Sequence, residues 1–338
     1  MMVIRPIRHS DFDSLHQCAV ESGIGFTSLP VNDELLAKKI ARSTQSFSKQ
    51  VSKPGPESYL FAMVDTANDI MMGTCGIEAA VGMEDAFYHY HQGKVVHASR
   101  ELNIYNTIDT LTCCNDYTGV SEICTLFLRE QARQGNNGRF LSKVRFLFMA
   151  EHTERFSETV IAEMRGVSDE NGSSPFWQWL EEHFFSMDFP TADYLTGIGQ
   201  KGFIAELMPK YPIYVSLLSK EAQAVIGQVH EKTKPALKLL RNEGFSCRGY
   251  VDIFDAGPTV EAELHHIRTA QQSRKLPVRI GKPTATHQQI IINTHIADFR
   301  AVVETADVFN DTILISAEAA SALHVTNGEL VRFAPIKL

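Results

Sequence analysis

The stretch CTLFLREQARQGNNGRFLS, residues 124–142, decides the fold. Its apolar start closes a predicted buried strand, 119–128, and its end opens a predicted helix, 137–151, whose apolar side chains fall on one face. The polar turn between them leads into the helix N-terminus. Exposed backbone N–H groups and the positive end of the helix dipole suit a phosphate or pyrophosphate there. A polar connection without any ligand is the other interpretation that these residues allow.

Shorter elements surround this strand–turn–helix unit. We predict strands at 2–7, 59–65, 70–80 and 158–164, and helices at 11–20, 32–43 and 175–185. Residues 82–118 carry no clean period and, together with residues 190–225, are interpreted as insertions. The mixture of both element types predicts the α/β (α+β) class.

The composition and pattern of the sequence change after about residue 270. A polar linker-like stretch is followed by short strand candidates at 289–293, 311–316 and 329–334, the last of them after an Asn-Gly turn signal. We therefore predict a main domain over residues 1–270 and a small β-rich C-terminal subdomain over residues 275–338.

The composition narrows the class of protein further. The chain has 338 residues, a formal net charge of −8, 44% hydrophobic and 21% charged residues, which excludes disordered, collagen-like and disulfide-scaffold classes. The acidic balance predicts no nucleic-acid partner, and the lack of any apolar run of about 18 residues predicts no membrane partner. The start MMVIRPIRHSDFD does not resemble a signal peptide, and six scattered cysteines are expected as reduced thiols, so we predict a cytoplasmic location.

The chain has 13 histidines, so a functional role for any one of them needs its own sequence argument. His230 ends an apolar run and precedes the polar stretch EKTKP, where it either acts in catalysis or caps the next helix. His97 either contacts a substrate or fills a core pocket. We predict no metal site, because the remaining candidates lack a matched ligand pattern and are expected at the surface: His89, His91 and the pair His265-His266.

Charged residues near strand ends are the candidate substrate contacts. Glu163 and Arg165 lie at the end of the predicted fifth strand, and Glu122 lies in the strand before the turn. Each could instead form a structural ion pair. Further acidic candidates are Asp252, Asp255 and Glu261. The pair Cys113-Cys114 could supply a thiol nucleophile, although small packing residues are the simpler interpretation.

The turn at 133–138 resembles the R/Q-x-x-G-x-G/A loop that holds the pyrophosphate of coenzyme A in the acyl-CoA N-acyltransferases of the GNAT superfamily. Gly138 matches the last position of that pattern. Asn136 stands where the first glycine belongs, and Gly135 lies one residue early. The resemblance implies a coenzyme A contact for each of the following residues: Arg133, Gly135, Asn136, Asn137 and Gly138.

A narrower resemblance covers most of the chain, from the N-terminus to about residue 262. It is carried by the segments VVHASRELNIYN (95–106), NDYTGVSEICTLFL (115–128), AEMRGVSDENGSSPFW (162–177), HFFSMDF (183–189), FIAELMPKYPIY (203–214), IGQVHEKTKPALKLLRNEGF (226–245) and DIFDAGPTVE (252–261). These segments resemble the arginine N-succinyltransferases. The resemblance implies a GNAT-like mixed, twisted sheet flanked by helices, with a V-shaped opening between the fourth and fifth strands.

The same resemblance implies an activity: transfer of the succinyl group of succinyl-CoA to the α-amino group of L-arginine, the first step of arginine catabolism. Succinyl-CoA is then a co-substrate, and no prosthetic group or metal is expected. Leu126 is implied to hold the pantetheine arm, and His230 is implied to be the proton donor. Members of this family can be subunits of larger assemblies, so we expect a homo- or hetero-oligomer.

Three alternatives stay open at this point. The same machinery could act on ornithine or another amine, because a few side chains set the pockets. The chain could be a binding module for coenzyme A or arginine without activity. A thiol hydrolase that uses Cys113 or Cys114 is the third alternative.

Overall fold

The computed structural model describes residues 1–23, 26–170 and 172–337. Its strands are β1 (Met2–Pro6), β2 (Ser58–Asp65), β3 (Ile70–Glu78), β4 (His89–Ser99), β5 (Ile104–Cys114), β6 (Ser121–Leu128), β7 (Thr159–Glu163), β8 (Ile213–Tyr214), β9 (Ser246–Val251), β10 (Pro258–Glu263), β11 (Arg274–Ile280), β12 (Gln288–Asn293), β13 (Ala301–Thr305), β14 (Asp307–Val308), β15 (Ile313–Ile315) and β16 (Leu330–Pro335). Its α-helices are α1 (Phe12–Ser22), α2 (Asp33–Ser48), α3 (Asn137–Glu151), α4 (Pro175–Leu180), α5 (Phe189–Gly197), α6 (Gly202–Leu207), α7 (Lys220–Val225), α8 (Lys234–Glu243), α9 (Arg268–Gln272) and α10 (Ala317–Leu323). None of these described helices is both long enough and apolar enough to span a bilayer.

The strands form one sheet in the order β14-β15-β11-β16-β12-β13-β1-β2-β3-β6-β7-β10-β9-β4-β5-β8. Most neighbours are antiparallel, whereas β6 runs parallel to β7 and β11 runs parallel to β15. The mixed sheet with flanking helices that the sequence predicts is therefore confirmed.

The parallel pair β6–β7 is the irregular point of the sheet. Only two residue pairs join the strands, Ser121 with Val160 and Glu122 with Ile161. Beyond Glu122 no further β6–β7 pair forms in the described part of the chain, so the two strands separate. The expected V-shaped opening between the strands before and after α3 is present, because β6 continues to Leu128 without β7 beside it.

Helices cover both faces of the central strands. On one face, Phe140, Val144 and Phe148 of α3 pack against Phe61 of β2 and Ile123 of β6 in a core that aromatic edge-to-face contacts reinforce. On the other face, α1, α2 and α10 bury the apolar side chains Leu15, Leu36, Ile40, Ala319 and Leu323. The predicted helix at 137–151 matches α3, since its apolar residues recur at helical spacing.

The C-terminal strands continue the main sheet. β13 pairs with β1 through Val302–Val3 and Ala301–Ile4. Ile290 and Phe299 belong to the same buried core as Phe61. The region is β-rich, as the sequence indicates, and it shares its hydrophobic core with the preceding residues.

Residues 82–118, which the sequence analysis interprets as an insertion without a clean period, form regular structure. β4 and β5 form a long antiparallel hairpin, in register from His89–Cys114 to Ser99–Ile104, and β4 extends the sheet beside β9. The hairpin is largely solvated on both faces toward its tip, which removes the apolar alternation that marks a half-buried strand. Residues 190–225 fold into α5, α6, β8 and α7 around the buried Trp177 cluster.

A buried ion pair secures the start of the chain. Nη1 and Nη2 of Arg5 lie 2.7 and 2.8 Å from the two carboxylate oxygens of Asp11, and Arg5 is only 2% exposed. Asp69 also faces Arg5, at 3.8 Å, but its side chain is 80% exposed.

We expect Asp11→Asn to lower the free energy of unfolding by about 3–5 kcal/mol, because it leaves a buried guanidinium without its counter-charge. Asp69→Asn is the matched control and is expected to change stability by less than about 1 kcal/mol, because its pair is solvated. Urea unfolding of both variants measures the difference. Equal effects of the two substitutions would contradict this account of Arg5.

Candidate active site

The loop between β6 and α3 has the geometry of an anion cradle. A 3₁₀ turn at Glu130–Ala132 follows β6, and Gly135 takes a left-handed conformation with φ of +57° before the helix begins. Nε of Arg133 donates to the Leu128 carbonyl at 2.8 Å, and Nδ2 of Asn137 donates to the Ala132 carbonyl at 3.0 Å. These bonds hold the loop so that the first-turn N–H groups of α3 point outward, where they favour a phosphate.

Asn136 does not need the conformation of a glycine. Its φ is −106°, and the positive φ in this loop falls on Gly135. The departure from the superfamily pattern is therefore a one-residue shift of the glycine that the turn requires. Nδ2 of Asn136 donates to Oε1 of Gln288 at 2.9 Å, which ties the loop to β12. A methyl group on Gly138 would meet nothing within 4 Å, so open space lies above the helix start.

The open edge of β6 continues from this loop toward the closed end of the V. The residue before Leu126, Thr125, has a φ of +51°, and the register with β3 shifts at this point. A bulge of this kind re-aims backbone groups and recurs beside active sites. The side chain of Leu126 packs on the core under α3. The backbone of Leu126 thus lies on the strand edge that β7 leaves free.

His230 is bonded to the end of β7. Its backbone N–H donates to the carbonyl of Arg165 at 2.9 Å. Met164 bonds to Pro258 on the β10 side of β7, and backbone groups alternate sides along a strand, so the Arg165 carbonyl faces the V. His230 therefore lies beside the end of β7, on the side where β6 and β7 separate.

The ring of His230 has a defined tautomer. Its Nδ1 accepts a hydrogen bond from the backbone N–H of Lys232 at 3.1 Å, so the neutral ring carries its proton on Nε2. Partial burial lowers the pKa of His230, and the charges of Arg165 and Lys232 lower it further. His230 thus caps the turn that follows it, which is the alternative role considered in the sequence analysis. The cap uses Nδ1 and leaves Nε2 to carry the proton.

Three glutamates share the sheet face opposite α3. Glu78 on β3 is the direct partner of Glu122 on β6, and Glu163 lies two residues beyond Ile161, the β7 partner of Glu122. All three line a cavity of about 280 Å³, which we call the carboxylate cavity. Burial raises the pKa of Glu122 to about 8, and the charges of Glu163 and Glu78 add to the effect. Burial also raises the pKa of Glu163 to about 8, with Asp252 contributing.

The placement of His89 corrects a prediction. The sequence analysis expected His89 at the surface, whereas it is fully buried in β4. Its Nε2 lies 2.9 Å from Oε1 of Glu163, which lines the carboxylate cavity. Burial lowers the pKa of His89 to about 4, so the ring is neutral near pH 7. Strand alternation could not reveal this, because the hairpin that carries His89 showed no period.

Other candidates have structural roles. The Asp255 carboxylate accepts hydrogen bonds from the N–H groups of Gly166 and Gly257 and so holds the end of β7 against β10. Glu261 accepts from the hydroxyl of Tyr117. His97 is exposed on the β4–β5 hairpin. Burial raises the pKa of Cys113 to about 11, which leaves a poor nucleophile.

One group of potential metal ligands was not expected. Glu263 lies within 4.8 Å of both His265 and His266, with one ligand atom from each, and all three residues are exposed as predicted for the histidines. One carboxylate oxygen of Glu263 lies 3.4 Å from Nε2 of His265 and 3.1 Å from Nδ1 of His266. A carboxylate two or three residues before a histidine pair is the signal that sequence analysis passed over.

The fold and the site define an acyltransferase. A strand edge left open by its neighbour can accept an extended acyl carrier, the loop at α3 can take its phosphates, and His230 can give a proton to a leaving group. Glu163, which the sequence singled out, ends β7 beside this opening, and Arg165 follows two residues later with its Nη2 bonded to the Ser168 hydroxyl at 2.9 Å.

Comparisons with known proteins agree with this class. The family model described as arginine N-succinyltransferase beta subunit matches residues 2–269, and the model of its C-terminal domain matches residues 274–335. Curated arginine N-succinyltransferases of Salmonella schwarzengrund and Salmonella agona are each 48% identical over 334 residues, covering 98% of this chain and 97% of theirs. The chain belongs to the arginine N-succinyltransferase family.

A solved structure gives the same relation in three dimensions. The arginine/ornithine succinyltransferase subunit AI from Pseudomonas aeruginosa is 38% identical, with a TM-score of 0.92 over 100% of this chain and 99% of that one. The alignment therefore includes the C-terminal strands of this chain.

Proposed function

We propose that this protein transfers the succinyl group of succinyl-CoA to the α-amino group of L-arginine, giving N2-succinylarginine and free coenzyme A. The observation that carries the proposal is the hydrogen bond from His230 to the Arg165 carbonyl, beside the place where β6 and β7 separate. The names of the relatives support the choice of substrates.

Succinyl-CoA would lie along β6 with its pyrophosphate at the start of α3. The N–H groups of the first helical turn, together with Arg133, Gly135, Asn136, Asn137 and Gly138, would hold the phosphates. The pantetheine amides would bond to the free edge of β6 at Leu126, as an added strand does. This arrangement would bring the thioester to the gap beside His230.

The chemistry needs no covalent intermediate with the protein. The neutral α-amino group attacks the thioester carbonyl, the new C–N bond forms, and the C–S bond breaks. The amine loses one proton and the departing sulfur gains one, so the overall reaction is balanced. His230 would supply the proton to sulfur from Nε2, the nitrogen that its bond to Lys232 leaves protonated. Holding both substrates in the V would provide much of the acceleration.

The acceptor would lie on the sheet face opposite α3. Glu163 and Arg165 are on the same face, because they are two residues apart at the end of β7. Arg165 would meet a carboxylate of a substrate, and Glu163 would meet a cationic group. Ornithine is the second candidate acceptor, since the Pseudomonas relative is described as acting on arginine or ornithine.

The descriptions of the relatives and the state of the cysteines support proposals on assembly and location. The description of the family as a beta subunit, and of the Pseudomonas protein as subunit AI, supports a subunit of a homo- or hetero-oligomer. The six cysteines are all free thiols, which supports the cytoplasmic location that the sequence predicts.

A thiol-release assay tests the proposed function. Succinyl-CoA and acetyl-CoA are each mixed with arginine, ornithine or lysine, and free coenzyme A is followed with a thiol reagent. We expect the fastest release from succinyl-CoA with arginine. Faster release with ornithine would show that ornithine is the preferred acceptor. Faster release with acetyl-CoA would show that acetyl-CoA is the preferred donor. Binding of coenzyme A without release from any pair would leave only the binding module.

A further inference from the structure

We propose that the carboxylate cavity is the binding site for the guanidinium group of the acceptor. Glu122 and Glu163 would then select arginine over amino acids whose side chain ends in a neutral group or in an ammonium group. This inference rests on the proposed function and adds the residues that determine acceptor specificity.

Carboxylates outnumber cations in the lining of the cavity, where Glu78, Glu84, Asp85, Glu122 and Glu163 stand against Lys39, Arg42 and Lys201. Glu78 is satisfied, because Nη2 of Arg42 lies 3.1 Å from it and the hydroxyl of Ser58 donates to it at 2.8 Å. Glu122 and Glu163 have no lysine or arginine nitrogen within 4.0 Å among the described residues. Burying a carboxylate without a cation is costly, so a positively charged ligand is the natural partner for these two groups.

Two buried polar groups point to a ligand independently: one lies against Glu163, and the other lines the cavity. His89 is fully buried, and neither of its ring nitrogens makes a hydrogen bond among the described residues. Its Nε2 is nevertheless 2.9 Å from Glu163, although the ring is not oriented for a hydrogen bond. The buried hydroxyl of Thr196, which lines the cavity, has no described partner either. Such groups in a polar cavity are expected to meet a ligand or water.

The shape of a guanidinium fits this site better than an ammonium does. Its planar fork can bond two carboxylates at once, whereas an ammonium acts as a point charge. The side chains of Glu122 and Glu163 come from adjacent strands and the same face, so they can approach the fork from two sides. Burial raises the pKa values of both carboxyl groups, with repulsion from Glu163 and Glu78 at Glu122 and from Asp252 at Glu163, and a bound cation would lower them.

The distance along β7 agrees with the length of arginine. Arg165 lies two residues beyond Glu163, which is about 7 Å along a strand. His230 bonds to the carbonyl of Arg165. An acceptor with its cation at Glu163 and its α-amino group near His230 therefore needs a chain of a few methylenes between the two groups. The α-carboxylate of such an acceptor would then lie near Arg165.

The test compares Glu122→Gln with the wild-type protein on arginine and on citrulline, the neutral isostere of arginine. We expect the KM for arginine to rise roughly 10- to 100-fold while the KM for succinyl-CoA stays within about twofold. The preference for arginine over citrulline should fall by a similar factor. Glu163→Gln should act in the same direction, and Glu182→Gln, an exposed glutamate in the turn after α4, is the matched control.

Each outcome separates the two proposals. An unchanged arginine KM and citrulline preference in both glutamine variants would overturn the guanidinium site while transfer to arginine by the wild-type protein still upholds the proposed function. A rise in the KM for succinyl-CoA alone would place the acyl chain in the cavity and would also overturn it. Failure of the wild-type protein to acylate any amine would instead remove the proposed function. Unfolding curves confirm that the variants are folded, as expected when a buried acid becomes an isosteric amide.

Discussion

His230→Asn is expected to lower kcat by roughly 10²- to 10⁴-fold while coenzyme A binding is retained. Asparagine keeps an acceptor close to the position of Nδ1, so the cap on the Lys232 N–H survives. The variant lacks the proton that the histidine ring carries on Nε2. The departing thiolate must then leave without a proton donor, which raises the barrier for breaking the C–S bond.

The control for this experiment is His97→Asn, which changes an exposed histidine on the β4–β5 hairpin and should leave kcat unchanged. Calorimetric titration with coenzyme A shows whether the binding site is intact in both variants. A kcat for His230→Asn within threefold of the wild-type value would show that His230 is not the proton donor. The proton would then have to come from another group in the V.

Gly257→Ala is expected to destabilise the protein by about 3 kcal/mol or more and to reduce activity with it. A methyl group on Gly257 would lie 2.1 Å from the Met164 carbonyl oxygen and 2.6 Å from the Gly166 nitrogen. Both are backbone atoms at the end of β7, so neither can move without displacing the strand. Because Arg165 lies between them and anchors His230, the strain reaches the open end of the V.

Gly202→Ala is the matched control for this substitution, because its added methyl group meets nothing within 4 Å. Urea unfolding of both variants gives the difference in stability, and kcat is measured well below the midpoint of thermal unfolding. Equal stability of the two variants would show that β7 and β10 are less tightly joined than these distances imply.

The local parts of the site could be predicted from the sequence. The strand, polar turn and helix at 119–151 are encoded by nearby residues, so periodicity and turn chemistry were enough to place β6, the loop and α3. The same residues carried the resemblance to the family. Glu163 and Arg165 were placed at the end of a strand, and the structure has them there.

The carboxylate cavity could not be predicted in full, because it depends on strand register. Glu78 and Glu122 are 44 positions apart (122 − 78), and only the β3–β6 pairing makes them neighbours. His89 reaches Glu163 from the buried base of a hairpin whose tip is exposed. Long-range pairing of this kind leaves no pattern in a local window of sequence. Sequence analysis therefore did not identify Glu78 and His89 as site residues.

The product of the reaction is the most direct test of the account. The protein is incubated with succinyl-CoA and arginine, and the amino acid is analysed by mass spectrometry with fragmentation. We predict arginine that carries one succinyl group on its α-amino nitrogen, in an amount equal to the coenzyme A released. Release of coenzyme A with unmodified arginine and free succinate, or succinylation of the guanidinium end, would contradict it.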